Sequence, residues 1–217
     1  MVLSARSLTR RLTKLLQRER ELWASGIERI CGVDEAGVGP LAGPVVAAAV
    51  VFPPGVGLKG VDDSKKLLPE RRERLALEIR ERAVSWAVAI VEPDEIDRLN
   101  IYRASLAAMG RAVDGLSVTP QHVLIDARRI PGCDLPQEPI VGGDGLCHAI
   151  AAASILAKVA RDAVMRDYET VYPGYGFADH KGYTTAAHRD AIRKLGPCPI
   201  HRKSFMLIPP RGLFDEA

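Results

Sequence analysis

Leucines recur at Leu8, Leu12, Leu15, Leu16 and Leu22, joined by Trp23, along residues 7–24. Steps of three and four predict one amphipathic helix, closed by Gly26. Two apolar runs follow at 29–33 and 45–52, the second without a polar residue, and both read as strands. Between them stand Gly37, Gly39, Pro40, Gly43 and Pro44, so a tight turn and an antiparallel hairpin are expected. Residues 69–83 predict a charged helix with Pro69 in its first turn. A strand at 86–91 and helices at 93–100 and 102–113 come next. Residues 122–126 and 139–141 read as short strands, and 146–168 as a long helix rich in alanine over its first half. Small side chains let backbones approach closely, so this helix is expected to be deeply buried. A Gly/Tyr/Pro loop at 172–182 leads to a last helix at 184–195. Strands precede and then alternate with helices, which gives an α/β class, or α+β, with a mixed sheet.

Composition narrows this picture. The 217 residues are 47% hydrophobic and 26% charged, ordinary globular usage that excludes collagen-like, wholly disordered and coiled-coil chains. The longest apolar run is far too short to span a bilayer, and no signal peptide is read, so no membrane association is expected. Cys31, Cys133, Cys147 and Cys198 are scattered, as suits a reducing cytosol, and a cytoplasmic monomer is expected. Cys198 and His201 lack a second metal half-site, so zinc is not expected. Net charge is +3, but residues 1–20 alone carry six basic side chains against Glu19, leaving the rest near neutral. Charge alone leaves open whether this arm meets a polyanion or is a solvated helix face.

Candidate chemistry clusters at strand ends. Asp34 and Glu35 end the first apolar strand and enter the Gly-rich turn. Strand neighbours point to opposite faces, yet at a strand end both can reach one ion. Asp126 ends another apolar strand, where α/β sites tend to form. Asp144 lies in a Gly142-Gly143-Asp144-Gly145 run before the long helix, as ligand or as N-cap. Together these hard oxygen donors suit Mg²⁺ or Mn²⁺. The segment 62–67 holds Ser64 and Lys65, as a capped polar loop or a phosphate contact. The aromatic residues of 175–183 suit either stacking on sugars and bases or plugging the core.

Six stretches now form a recognisable set: GVDEAGVGPLAGPVVAAAV (32–50), DDSKKL (62–67), LIDA (124–127), GDGLCHAIAAASILAKVARD (143–162), YPGYGFADHKGYTT (172–185) and HRKSF (201–205). In order and spacing the chain resembles bacterial type 2 ribonuclease H, ribonuclease HII, over roughly residues 29–205. The resemblance implies a ribonuclease H-like fold, with a central mixed five-stranded sheet flanked by helices and a small helical C-terminal part. Residues 1–25 would form a basic N-terminal helix, 26–205 the catalytic domain and 206–217 a tail. The implied activity is endonucleolytic cleavage of RNA in RNA–DNA hybrids and incision 5′ to single ribonucleotides in duplex DNA. By motif, Asp34, Glu35, Asp126 and Asp144 would bind two divalent ions, for hydrolysis leaving 3′-hydroxyl and 5′-phosphate ends. The family's Gly-Arg-Gly turn, whose backbone reads the ribose 2′-hydroxyl, falls on Gly37-Val38-Gly39, and its junction-sensing tyrosine on Tyr183. Ser64 and Lys65 join these as expected substrate contacts. Val38 replaces the family's arginine and Gly142 a frequent lysine. Weaker phosphate affinity with ribose selectivity retained is therefore expected. The rival readings are another metal phosphotransferase of the superfold and a nucleic-acid-binding protein without turnover. The Gly-rich turn and Tyr183 weigh against the first, and the four retained carboxylates against the second.

Overall fold

The structure, a computed structural model, describes residues 4–208, so 209–217 of the expected tail lie outside it. Strands β1 (Ile30–Ala36) and β2 (Val45–Val51) form the expected antiparallel hairpin. β2 is buried along its whole length, as its unbroken apolar run requires. β3 (Ser85–Val91) adds to β2 antiparallel, while β4 (His122–Asp126) and β5 (Gln137–Ile140) extend β1 in parallel. The result is a mixed sheet of five strands in the order β3-β2-β1-β4-β5.

Alternation along the strands divides the core in two. Cys31, Val33, Ala47 and Ala49 face α4 (Pro93–Leu99) and α5 (Ile101–Asp114), while Ala48 and Val50 face α3 (Pro69–Arg82) and α6 (His148–Val171). Helix α6 crosses β1 at Gly32, where an added Cβ would lie 2.1 Å from the Ala149 backbone. The alanine-rich first half of α6 is buried, and its small side chains permit this approach. The helix begins two residues later than its pattern suggests, because a 3₁₀ turn at Gly143–Gly145 precedes it.

The N-terminal helix is two helices, α1 (Ala5–Leu15) and α2 (Gln17–Ala24), meeting at Leu16. Leu15 and Leu16 are both buried, whereas a straight helix turns successive residues about 100° apart. Two of the arm's six basic side chains, Arg11 and Arg18, are committed to the body, while Arg6, Arg10, Lys14 and Arg20 are exposed. Arg18 grips Glu138 of β5 through Nε and Nη2, and Glu19 is buried, accepting the Ala149 amide at 2.9 Å in the first turn of α6. The loop at 172–182 contains one helical turn, α7 (Phe177–His180), and α8 (Ala186–Leu195) ends the described helices. Tyr175 and Phe177 are buried there, so these two aromatic side chains plug the core, and Tyr183 is the exposed one.

Candidate active site

The parallel register of β1 and β4 pairs Val33 with Ile125, which sets Asp34 and Asp126 side by side at the carboxyl ends of neighbouring strands. Asp34 is buried on the α6 side, where the nearby Ser154 hydroxyl favours its ionised form. Glu35 points to the opposite side, half-buried, and its Oε2 is buried with no hydrogen-bond partner. Asp126 accepts the Gly143 amide at 2.7 Å, which pins the 3₁₀ turn carrying Asp144. All four acids expected from sequence thus converge on one end of the sheet.

Their electrostatics are those of a cluster in which negative charge outweighs the nearby cations. Burial first, then the charges of Glu35 and Asp126, push the Asp34 carboxyl well above the usual range. Burial and Asp126 raise Glu35, opposed by Arg128 and Lys65. Asp144 is raised by burial and by Asp63 and Asp126, with Lys65 opposing. Lys65 lies 3.7 Å from Asp144 Oδ2, and the carboxylates, Asp144 foremost, outweigh burial and raise its pKa. Among the described residues no three acid, histidine or cysteine side chains close tightly enough to cage an ion unaided. Mutual repulsion holds such acids apart, and Mg²⁺ commonly completes its shell with water and phosphate oxygens. The orphaned Glu35 Oε2 and the raised acids are donors that fit a divalent cation.

The remaining expected residues divide. Gly37, at φ +100°, opens the turn, and its missing Cβ would lie 2.2 Å from Arg161 Nε. The Gly37 and Val38 carbonyls accept from Arg202 at 2.5 and 3.0 Å. The Val38 and Gly39 amides donate to nothing among the described residues. Tyr183 is 41% exposed, with Lys158 Nζ and Arg161 Cζ each 5.7 Å from its ring centre. It edges a cleft also lined by Lys158, Arg166 and Lys181. Ser64 does not sit where a substrate contact was expected. Its side chain is buried, its hydroxyl 2.9 Å from that of Ser154.

Sequence reasoning missed four contributors. Asp63 acts on Asp144, and Arg128 on Glu35. Arg11 of α1 binds Asp62 and the Gly145 carbonyl, bracing both loops that reach the site. Ser154 lies inside a quoted stretch, but nothing in its pattern marks it as a partner of Asp34.

The family model described as Ribonuclease HII matches residues 31–208. The chain belongs to the ribonuclease HII family. A ribonuclease HII from Myxococcus xanthus is 58% identical over 90% of this chain and 67% of its own length. One from an Anaeromyxobacter species is 57% identical over 90% of this chain but 62% of its own length. The ribonuclease HII of Moorella thermoacetica is 54% identical over 90% of this chain and 95% of its own. The chain thus spans under two thirds of the Anaeromyxobacter relative and nearly all of the Moorella one. Among solved structures, ribonuclease H2 from Pyrococcus horikoshii superposes with a TM-score of 0.68 at 25% identity, covering 82% of this chain and 94% of that one. The ribonuclease HII of a PCNA complex from Archaeoglobus fulgidus gives 0.66 at 26%, covering 80% and 92%. Among the described residues, no helix is long and apolar enough to cross a membrane.

Proposed function

We propose that Asp34, Glu35, Asp126 and Asp144 hold two divalent ions, Mg²⁺ or Mn²⁺, and that the site hydrolyses RNA in RNA–DNA hybrids and incises 5′ to single ribonucleotides in duplex DNA. The observation that carries this reading is the convergence of four acids at one sheet end, three of them raised by burial and mutual repulsion. Bound there, the ions supply an activated water and stabilise the leaving 3′-oxygen, giving 3′-hydroxyl and 5′-phosphate products. The chain's residues provide the rest. Asp34 anchors the centre of the cluster, steadied by Ser154. Asp126 orients the Asp144 turn through the Gly143 amide. Lys65 offers a cation beside Asp144 that can meet a phosphate oxygen. The Gly37-Val38-Gly39 turn has the Gly37 and Val38 carbonyls tied back and, among the described residues, the Val38 and Gly39 amides without an acceptor, which suits reading a 2′-hydroxyl by backbone. Tyr183 offers a face for the deoxyribose beyond the ribonucleotide.

The test is a cleavage assay with Mg²⁺ or Mn²⁺ on a duplex bearing one ribonucleotide, beside its all-DNA counterpart. Incision 5′ to the ribonucleotide, absent without metal and absent on DNA, is the expected result. Binding of the same duplex without incision in either metal refutes the hydrolase reading.

A further inference from the structure

Three backbone segments run side by side behind the proposed substrate face. The Leu41 amide donates to the Gly182 carbonyl, the Arg202 amide to the Leu41 carbonyl, and the Gly43 amide to the Ile200 carbonyl, each at 2.9 Å. The loop carrying the Gly37-Val38-Gly39 turn is thereby held between the segment before Tyr183 and the segment 200–202.

Two consecutive side chains of the last segment reach in different directions. Arg202, fully buried, donates to the carbonyls of Gly37, Val38, Gly43 and Pro44 at 2.5 to 3.3 Å. Its guanidinium makes no ion pair among the described residues. Buried charge without an opposing charge is a poor device for stability. A rigid fork of five N–H donors is a good device for fixing several carbonyls at once.

His201, also buried, reaches toward Tyr183. Its Nδ1 lies 2.9 Å from the Cys198 amide, 3.1 Å from the Cys198 Sγ and 3.2 Å from the Cys198 carbonyl. Its Nε2 lies 3.1 Å from Nε2 of His188. Nδ1 of His188 lies 2.9 Å from the Tyr183 carbonyl, which can only accept. His188 therefore carries its proton on Nδ1 and accepts at Nε2, which puts the proton of a neutral His201 on Nε2 and leaves its Nδ1 to accept the Cys198 amide. His201 donates to His188, and His188 donates to Tyr183. The chain ends on the backbone of the tyrosine.

We propose that His201 and Arg202 are positioning residues for ribonucleotide recognition, Arg202 fixing the ribose-reading turn and His201, through His188, fixing Tyr183. The proposal rests on the assignment of the turn and of Tyr183 given above. Adjacent in sequence, the two side chains hold the two reading elements in one frame.

The experiment compares kcat/KM on a single embedded ribonucleotide with kcat/KM on a long hybrid. His201→Asn keeps an acceptor for the Cys198 amide and removes the donor toward His188. It is expected to lower the embedded-to-hybrid ratio by roughly two- to tenfold, the span of one neutral hydrogen bond. His201→Gln, which keeps a donor, restores the ratio. In a Tyr183→Ala background His201→Asn lowers the ratio no further, because both changes act through one side chain. Arg202→Lys, which keeps the charge and loses the fork, lowers kcat on both substrates by a common factor. Thermal melts establish that each variant is folded at the assay temperature. If His201→Asn is not, His188→Leu removes the last donor of the chain directly and takes its place. Should Tyr183→Ala leave the ratio unchanged, the assignment of Tyr183 falls and this proposal with it. Should Tyr183→Ala lower the ratio while His201→Asn leaves it intact, or lowers it further in the double variant, the proposal alone is overturned. An Arg202→Lys enzyme with unaltered rates overturns the half that concerns the turn.

Discussion

The carboxylate of Asp126 accepts the amide of Gly143 at 2.7 Å, so the third acid of the cluster fastens the turn that carries the fourth. Loss of either charge should therefore disturb more than one ligand. Asp34→Asn and Asp126→Asn are each expected to lower turnover by a factor on the order of 10²–10³, the usual scale for removing one transition-state electrostatic contact. Near-normal rates at limiting metal would remove these residues from the reaction.

The same cluster is expected to weaken the metal-free fold. Asp34 is buried and repelled by Glu35 and Asp126, which raises its folded pKa above the unfolded value. The folded state then binds protons more readily, so stability grows as pH falls through the folded pKa toward the unfolded one. Asp34→Asn should raise the melting temperature of the metal-free protein at pH 7 and flatten that pH dependence. A lower melting temperature refutes the electrostatic account, whatever the variant does to activity.

Val38→Arg restores a cation beside the proposed phosphate path. Each phosphate neutralised on a duplex contributes about −0.9 to the slope of log K against log salt. Hybrid-binding titrations over several salt concentrations should steepen by roughly one unit, with tighter binding at low salt. The ribose preference is expected to hold, because the Arg202 bonds go to main-chain oxygens that the substitution leaves in place. Coincident slopes for the two proteins place the Val38 side chain away from any phosphate.

His148 accepts the Leu58 amide at 3.0 Å deep beside Phe52, and burial lowers its pKa to about 4. A histidine held neutral in the fold and free to protonate when unfolded costs stability in acid. The loss begins near the unfolded value of about 6.5, deepens toward pH 4, and amounts to about 3 kcal/mol in all. Denaturant unfolding at pH 7 and pH 4.5 measures it. His148→Gln should be less stable than the parent at pH 7 yet lose less on acidification. An equal acid loss in both proteins assigns the effect to other groups.

Much of this was legible along the chain, for reasons that differ by residue. The hairpin announces itself through an unbroken apolar run after a Gly-Pro turn. The four acids stand out because each ends an apolar stretch or opens a helix. The placement of Ser64 and of the arginines was not legible. A serine in a polar stretch looks exposed, yet the 3₁₀ turn at Ser64–Lys66 rolls it inward against Ser154. Arg161 and Arg202 carry the charge that usually marks a surface, and both are fully buried on backbone carbonyls. Arg11 and Arg18 fit a solvated or nucleic-acid-facing arm until their partners, Asp62 and Glu138, are seen 51 and 120 positions away. Periodicity sees neighbours and is blind to such separations.

The arm's bond from Glu19 to the Ala149 amide has a consequence for the order of folding. Besides Asp62, the arm's partners at Glu138, Gly145 and Ala149 lie 120 to 134 positions along the chain. Contacts that close such long loops form late, so the arm is expected to dock only after the sheet and α6 have assembled. Until then Leu15, Leu16 and Leu22, buried in the folded protein, are exposed to solvent or to any apolar surface nearby.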